Sequence, residues 1–375
     1  MIANISVRRH ERYTSAPASL LKWLGGLTLV LLILSGCDDD SSIAGPAGGA
    51  STDECSIPTS NLVSGGVPKD GIPALTDPEF VAPGEAGYLT DDSRVIGLEI
   101  GGDMLAIPHN ILWYHEIVNL NRGGEQLAVT YCPLTGSSLA FDRSAADGAE
   151  FGVSGLLFQN NLVMYDRNTE ESLWPQMNRE AGCGTKDGTV LEMRPIVEMT
   201  WEAWRMLHPD TRVVSANTGF SRTYSPSGYP YGNYEQTNNA NLLFDMPIDE
   251  RRPPKERALG IPLDGGVAFP FGTLDRDAFT VVSTQVAGRD IVVFWDRSSR
   301  GAMAFSPVVD GERLQFEARE EGLFDAGTSS RWTIDGRAVS GPLEDTRLEP
   351  VAEAYVAFWF AWAAFHPETK IWNAE

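Results

Sequence analysis

The sequence predicts a strand-dominated α+β fold made of two tandem, divergent copies of one module. Three observations point there. First, Arg94-x-x-Gly97 leads through Gly101-Gly102 to Ala106-x-Pro108, and Arg257-x-x-Gly260 leads through Gly265-Gly266 to Ala268-x-Pro270. Second, Trp201-x-x-Trp204-x-x-x-His208-Pro209-x-Thr211-Arg212 returns as Trp359-x-x-Trp362-x-x-x-His366-Pro367-x-Thr369-Lys370. Each copy of that motif follows a lone tryptophan, Trp174 or Trp332, at the same interval. Third, short apolar runs punctuated by glycine and asparagine fill the space between, a pattern of strands and turns. Conserved order and spacing signal a duplicated unit, roughly 94–216 and 257–375.

In chain order, Arg8, Arg9, Arg12 and Lys22 precede an apolar run from Trp23 to Leu34 that is too short to span a bilayer comfortably. Leu34-Ser35-Gly36-Cys37 resembles the cleavage and lipidation signature of bacterial lipoproteins. That resemblance implies removal of residues 1–36 as a signal peptide and acylation of Cys37; an uncleaved anchor is the alternative. Membrane attachment is then through the lipid on Cys37. Asp38, Asp39 and Asp40 resemble an inner-membrane retention signal. The expectation is a cell-membrane-anchored protein facing the periplasm, on the inner membrane if the host is Gram-negative. Residues 37–60 form the lipidated tether, and the small residues at 41–50 make it flexible.

The first module spans 61–235, including an N-terminal arm and a Tyr-rich C-terminal segment; 236–256 is a linker and 257–375 the second module. Leu98 to Ile100 and Met104 to Ile107 flank Gly101-Gly102-Asp103, a hairpin signal. Gln126 to Cys132, Ser138 to Asp142, Glu150 to Ser154 and Asn161 to Asp166 read as further strands. Thr200 is placed to cap a helix carrying Trp201, Trp204 and Leu207 on one face, which Pro209 ends. The equivalent apolar run, Ala352 to Phe365, predicts a buried helix.

The net charge of -22 and the absence of a basic patch exclude nucleic acid as a partner. Ten tryptophans and 42% hydrophobic residues argue for a packed body. No motif names a protein or small-molecule partner, and none identifies a cofactor.

Residues present in one copy only are the better site candidates. These are His115, Glu116, Cys132 and Cys183, with Asp277 opposite His115, Asp296 opposite Cys132 and Gly341 opposite Cys183. Cys132 opens the turn Cys132-Pro133-Leu134-Thr135-Gly136 at a strand end, where His115 is the candidate proton partner for thiol catalysis. Cys132, His115 and Cys183 are also candidate metal ligands, without the spacing of a standard site. An oxidising compartment favours a disulfide, with Cys132–Cys183 the first choice and Cys55 with either as alternatives. The leading reading is a binding or interaction module with a pocket near His115 and Cys132. The alternative is a thiol- or metal-dependent enzyme or redox protein using Cys132 with His115. His208 and His366 read as helix-end packing, and Asp142-Arg143 and Asp166-Arg167 as surface ion pairs. Tyr224, Tyr229, Tyr231 and Tyr234, with Arg222, are groove candidates, more simply a linker's rings on neighbouring surface.

Several motifs belong together. They include Ser64-Gly65-Gly66-Val67-Pro68-Lys69-Asp70-Gly71, Trp113-Tyr114-His115-Glu116-Ile117-Val118-Asn119 and Thr130-Tyr131-Cys132-Pro133-Leu134-Thr135-Gly136. Phe151-Gly152-Val153-Ser154-Gly155, Val163-Met164-Tyr165-Asp166-Arg167 and the Trp201 to Pro209 segment complete them. This series resembles a bacterial family catalogued as domain of unknown function 3179 (DUF3179). The resemblance covers most of 60–235 and, more loosely, the second module. It implies no activity, cofactor or catalytic residue.

Overall fold

A computed structural model describes residues 55–169 and 172–373, so the signal segment, Cys37 and most of the tether lie outside the described residues. Strands dominate, and the four α-helices among the described residues are short: α1 (His109–His115), α2 (Trp201–Leu207), α3 (Phe271–Leu274) and α4 (Trp359–Phe365). None of them is long and apolar enough to cross a membrane.

The predicted hairpin forms from Arg94–Ile100 and Asp103–Pro108, closing at Ile100 opposite Asp103. Both turn glycines have positive φ, which costs glycine nothing. Val197–Thr200 adds antiparallel on one side and Arg212–Val214 parallel on the other, with Phe80–Val81 at the edge. In the second half, Arg257–Ile261 and Val267–Pro270 pair in the same way, flanked by Tyr355–Phe358 antiparallel and Lys370–Ile371 parallel. A three-stranded meander follows each hairpin, Ile117–Arg122, Glu125–Cys132 and Ser137–Asp142 in the first half and Phe279–Val286, Arg289–Asp296 and Gly301–Phe305 in the second.

The two tryptophan motifs build matching contacts. Trp204 Nε1 donates to Thr211 Oγ1 and Trp362 Nε1 to Thr369 Oγ1, both at 2.8 Å. Each indole lies flat over a glycine, Gly97 or Gly260, where any Cβ would overlap the ring. His208 and His366 stack on these indoles at 4.2 and 4.1 Å. His208, at the end of α2, also brings its Nε2 to 3.0 Å from Asp335 Oδ2.

The halves are interlocked within one compact unit. Ser138 pairs with Val356, so the first meander and the second hairpin share an eight-stranded sheet. Helices α2 and α4 each lie on the hairpin of their own half and turn their remaining apolar surface to the other half. α4 packs with Phe141, Phe151 and Trp174 of the first half, whereas Trp201 and Trp204 of α2 pack with Phe294, Phe305 and Trp332 of the second. A helix of seven residues is unstable alone, so this packing maintains it.

Three local expectations need correction. The second helix begins at Trp359 rather than Ala352, because Tyr355–Phe358 is drawn into the sheet by Arg257–Ile261 and an apolar run cannot signal that choice. Helix α1, absent from the sequence reading, is too short for a clear period. Asp142 and Asp166 do not pair with their neighbours, which point to opposite faces of the strand ends. Arg143 is instead fully buried, donating to Leu120 O, Gly148 O and Asn121 Oδ1, while Arg167 reaches Asp70 at 2.8 Å.

Candidate functional site

The paired arginines begin equivalent strands and their side chains converge. Arg94 Nη1 and Arg257 Nη1 lie 2.9 and 2.8 Å from the same oxygen, Glu198 Oε1. Glu198 sits in Val197–Thr200, and its second oxygen accepts a bond from Ser138 Oγ at 2.7 Å. His109, the first residue of α1, brings Nε2 to 3.6 Å from that oxygen and stacks on Tyr131 with ring centres 4.1 Å apart. Arg257 also lies over the Phe358 ring at 5.1 Å.

Burial alone would raise the Glu198 carboxyl, but Arg257 and Arg94 hold it down at about 2. His109 is pushed down to about 3, chiefly by burial, with both guanidiniums adding to the effect, so its imidazole is neutral near pH 7. Burial lowers Arg94 to about 10, which leaves it charged. The cluster therefore contains two cations, one anion and a neutral histidine. A second carboxylate, Glu235, lies 3.8 Å from Arg257 and balances the remaining positive charge.

The two guanidiniums border a cavity of about 570 Å³. Ser93 and Arg94 come from the first hairpin strand and its approach, His109, Asn110 and Trp113 from α1, and Arg257 and Arg300 from the second half. Three buried polar atoms of the α1 residues have no hydrogen-bond partner: His109 Nε2, Asn110 Oδ1 and Trp113 Nε1. At the rim, Arg300 pairs with Asp92 at 2.7 Å, and Glu235 lies 3.8 Å from Arg257.

The fourth wall comes from the Tyr-rich segment, which is irregular as expected but is not a loose linker. Asn110 Nδ2 donates to Tyr224 O at 2.7 Å, Tyr114 OH to Gly228 O at 3.0 Å and Tyr229 OH to Pro133 O at 3.0 Å. Tyr229 meets Trp113 edge to face at 5.4 Å. These contacts strap the segment across α1 and bring Glu235, Gln236 and Thr237 to the cavity.

The residues singled out in the sequence lie elsewhere. His115 is fully buried, its Nδ1 2.7 Å from Pro73 O and its Nε2 2.6 Å from Tyr224 OH. A carbonyl oxygen only accepts, so Nδ1 carries the proton and Nε2 accepts from the tyrosine. Burial keeps the imidazole below its ordinary pKa. Cys132 is 1% exposed, and its Sγ donates to Asn160 O at 3.9 Å. Burial, with Glu116 adding, pushes this thiol up to about 11, which leaves little thiolate at neutral pH. Glu116, at the end of α1, is raised to about 8 by burial. A void of about 30 Å³ beside Glu116 and Leu134 is lined by neither Cys132 nor His115.

The preferred disulfide is also corrected. Cys183 bonds to Cys55 and Cys132 remains free. Cys132 faces the core, whereas Ile57 N donates to Gly182 O and draws the N-terminal arm alongside Cys183. The absence of a side chain at Gly182 permits that approach, because a Cβ there would strike Ile57. A disulfide-bonded Cys183 is no thiolate ligand. No cluster of three or more His, Cys, Asp or Glu fit to hold a metal occurs among the described residues.

Sequence reasoning missed Arg94, Arg257, Glu198 and His109 as a group. Arg94 and Arg257 stand at matching positions of the two similar motif series, whereas Glu198 and His109 stand opposite Val356 and Phe271.

A family model described as "Protein of unknown function (DUF3179)" matches residues 69–369, most of the chain. No curated protein and no solved structure matches it.

Proposed function

The chain belongs to this family of unknown function, and we propose that it binds a small, singly charged carboxylate in the cavity between its halves. The observation that carries the reading is the pair of guanidiniums, Arg94 and Arg257, that converge on Glu198 at the wall of the cavity. A phosphate dianion would be repelled by Asp92 and Glu235 at the rim more strongly than a monoanion. Planar guanidinium forks suit carboxylate oxygens, and the unpaired polar atoms of α1 supply further partners. The volume is that of an ordinary small-molecule site.

The test is calorimetric titration of the chain with monocarboxylates and with inorganic phosphate. Saturable carboxylate binding, weakened about tenfold or more by Arg257→Gln and less by Arg257→Lys, supports the reading. Absence of saturation, or affinity unmoved in a folded Arg257→Gln protein, overturns it.

Two wider readings accompany this one. The matching strand order and glycine–tryptophan contacts support descent of the halves from one duplicated module. The lipobox-like segment supports a protein anchored by lipid on Cys37 and facing the periplasm. Mass spectrometry of the mature N-terminus checks the anchor; an unmodified Cys37 still preceded by Gly36 overturns it.

A further inference from the structure

We infer that the carboxylate belongs to an acidic saccharide, a uronic acid joined to a neutral sugar; this rests on the carboxylate reading above. Gln236 and Thr237 line the arginine cavity and also a second cavity of about 370 Å³. The second cavity is walled only by polar, uncharged residues: Gln236, Thr237 and the asparagines at 233, 238, 239 and 241. Such a surface offers nothing to a lipid chain or an aromatic ring, and no charge to a second ionic group. Carboxamides present a donor beside an acceptor, the pattern that adjacent sugar hydroxyls match.

The loop is built for this before any ligand arrives. Asn239 is committed inward, donating to Asn233 O and accepting from Asn241 N, both at 2.9 Å. Lys255 holds the loop from below, its Nζ donating to Asn239 O at 3.2 Å and Asn241 O at 2.8 Å. The same ammonium lies 3.9 Å from the Tyr234 ring centre and 4.9 Å from that of Phe360. Asn233, Gln236 and Asn238 stay exposed on this fixed backbone. A preorganised loop loses less entropy on binding than a mobile one. In the arginine cavity, the Trp113 indole offers a flat wall to a pyranose ring. The uronate carboxylate would meet Arg94 and Arg257 while the neutral sugar rests on the carboxamides.

The experiment compares cellobiuronic acid, cyclohexanecarboxylate and cellobiose by calorimetry on the full chain. The inference expects the acidic disaccharide to bind about tenfold tighter than the hydroxyl-free acid. Asn233→Ala and Asn238→Ala, which line only the second cavity, should remove most of that advantage and leave cyclohexanecarboxylate affinity and thermal stability unchanged. Equal affinities for the two acids, indifferent to the loop substitutions, would overturn the saccharide and leave the carboxylate reading standing. Failure of both acids to bind would overturn both. Cellobiose binding as tightly as cellobiuronic acid would remove the arginines from recognition and overturn the acidic part of the inference.

Discussion

Arg94 and Arg257 donate to one oxygen, Glu198 Oε1, from opposite halves of the chain. Each begins the first hairpin strand of its half, so the meeting joins equivalent positions through a residue that only the first half has. It ties the halves together at the wall of a cavity.

Removing the carboxylate should destabilise the fold. Glu198→Gln leaves two buried guanidiniums facing each other, at a cost of about 3–5 kcal/mol, the range for breaking a buried ion pair. Urea unfolding at pH 7 measures it. A loss below about 1 kcal/mol would mean that water already screens the pair.

The same carboxylate makes the protein acid-sensitive. Its folded pKa, about 2, lies below the ordinary value of 4.5, so its contribution is complete above pH 4.5 and is lost as pH falls toward 2. Unfolding curves taken from pH 6 downward should steepen below pH 4.5 in the native chain and less in Glu198→Gln.

His109 works in the same direction through the opposite charge. Its folded pKa, about 3, lies below the ordinary 6.5, so the unfolded chain binds a proton that the folded chain refuses. Stability should therefore decline as pH drops from 6.5 to 3. His109→Phe, which installs the residue found at the matching second-half position, should flatten that stretch of the curve. An unchanged slope would show that the imidazole is solvated in the folded protein.

Cys132 should behave as an inert core thiol. In the native, unreduced protein, iodoacetamide should label the Cys132 peptide slowly at pH 7.5, and only denaturant should make labelling fast. Peptide mass spectrometry should also find Cys55 joined to Cys183. Rapid native labelling of Cys132 would restore thiol chemistry as a live reading.

Gly97→Ala and Gly260→Ala should each lower the melting temperature, because the added methyl occupies space held by Trp204 or Trp362. Overpacking of this kind costs about 1–3 kcal/mol. Thermal melts of the two single variants test whether the matching contacts carry similar weight.

Much of the framework was legible because it is local. The hairpin turns at Gly101-Gly102 and Gly265-Gly266, the Thr200 cap and the alternating strands all depend on residues close in sequence, as does strand dominance. The site was legible only in part. His115 and Cys132 stood out by residue type, yet reactivity depends on exposure, and burial beneath the Tyr-rich strap and between sheets is a non-local property. Arg94 and Arg257 were visible as repeated letters without any sign that their side chains meet.

The sequence by itself determined the strand-rich class, the family and the internal order of motifs, because turn preference, periodicity and spacing are written in short stretches. Only the tertiary structure decided that α2 and α4 each also pack against the other half, that Cys183 takes Cys55, and that two distant arginines share Glu198. Those outcomes depend on which surfaces pack together when the whole chain competes to bury apolar area and pair its buried charges. That competition involves residues far apart in sequence, and no local pattern records its result.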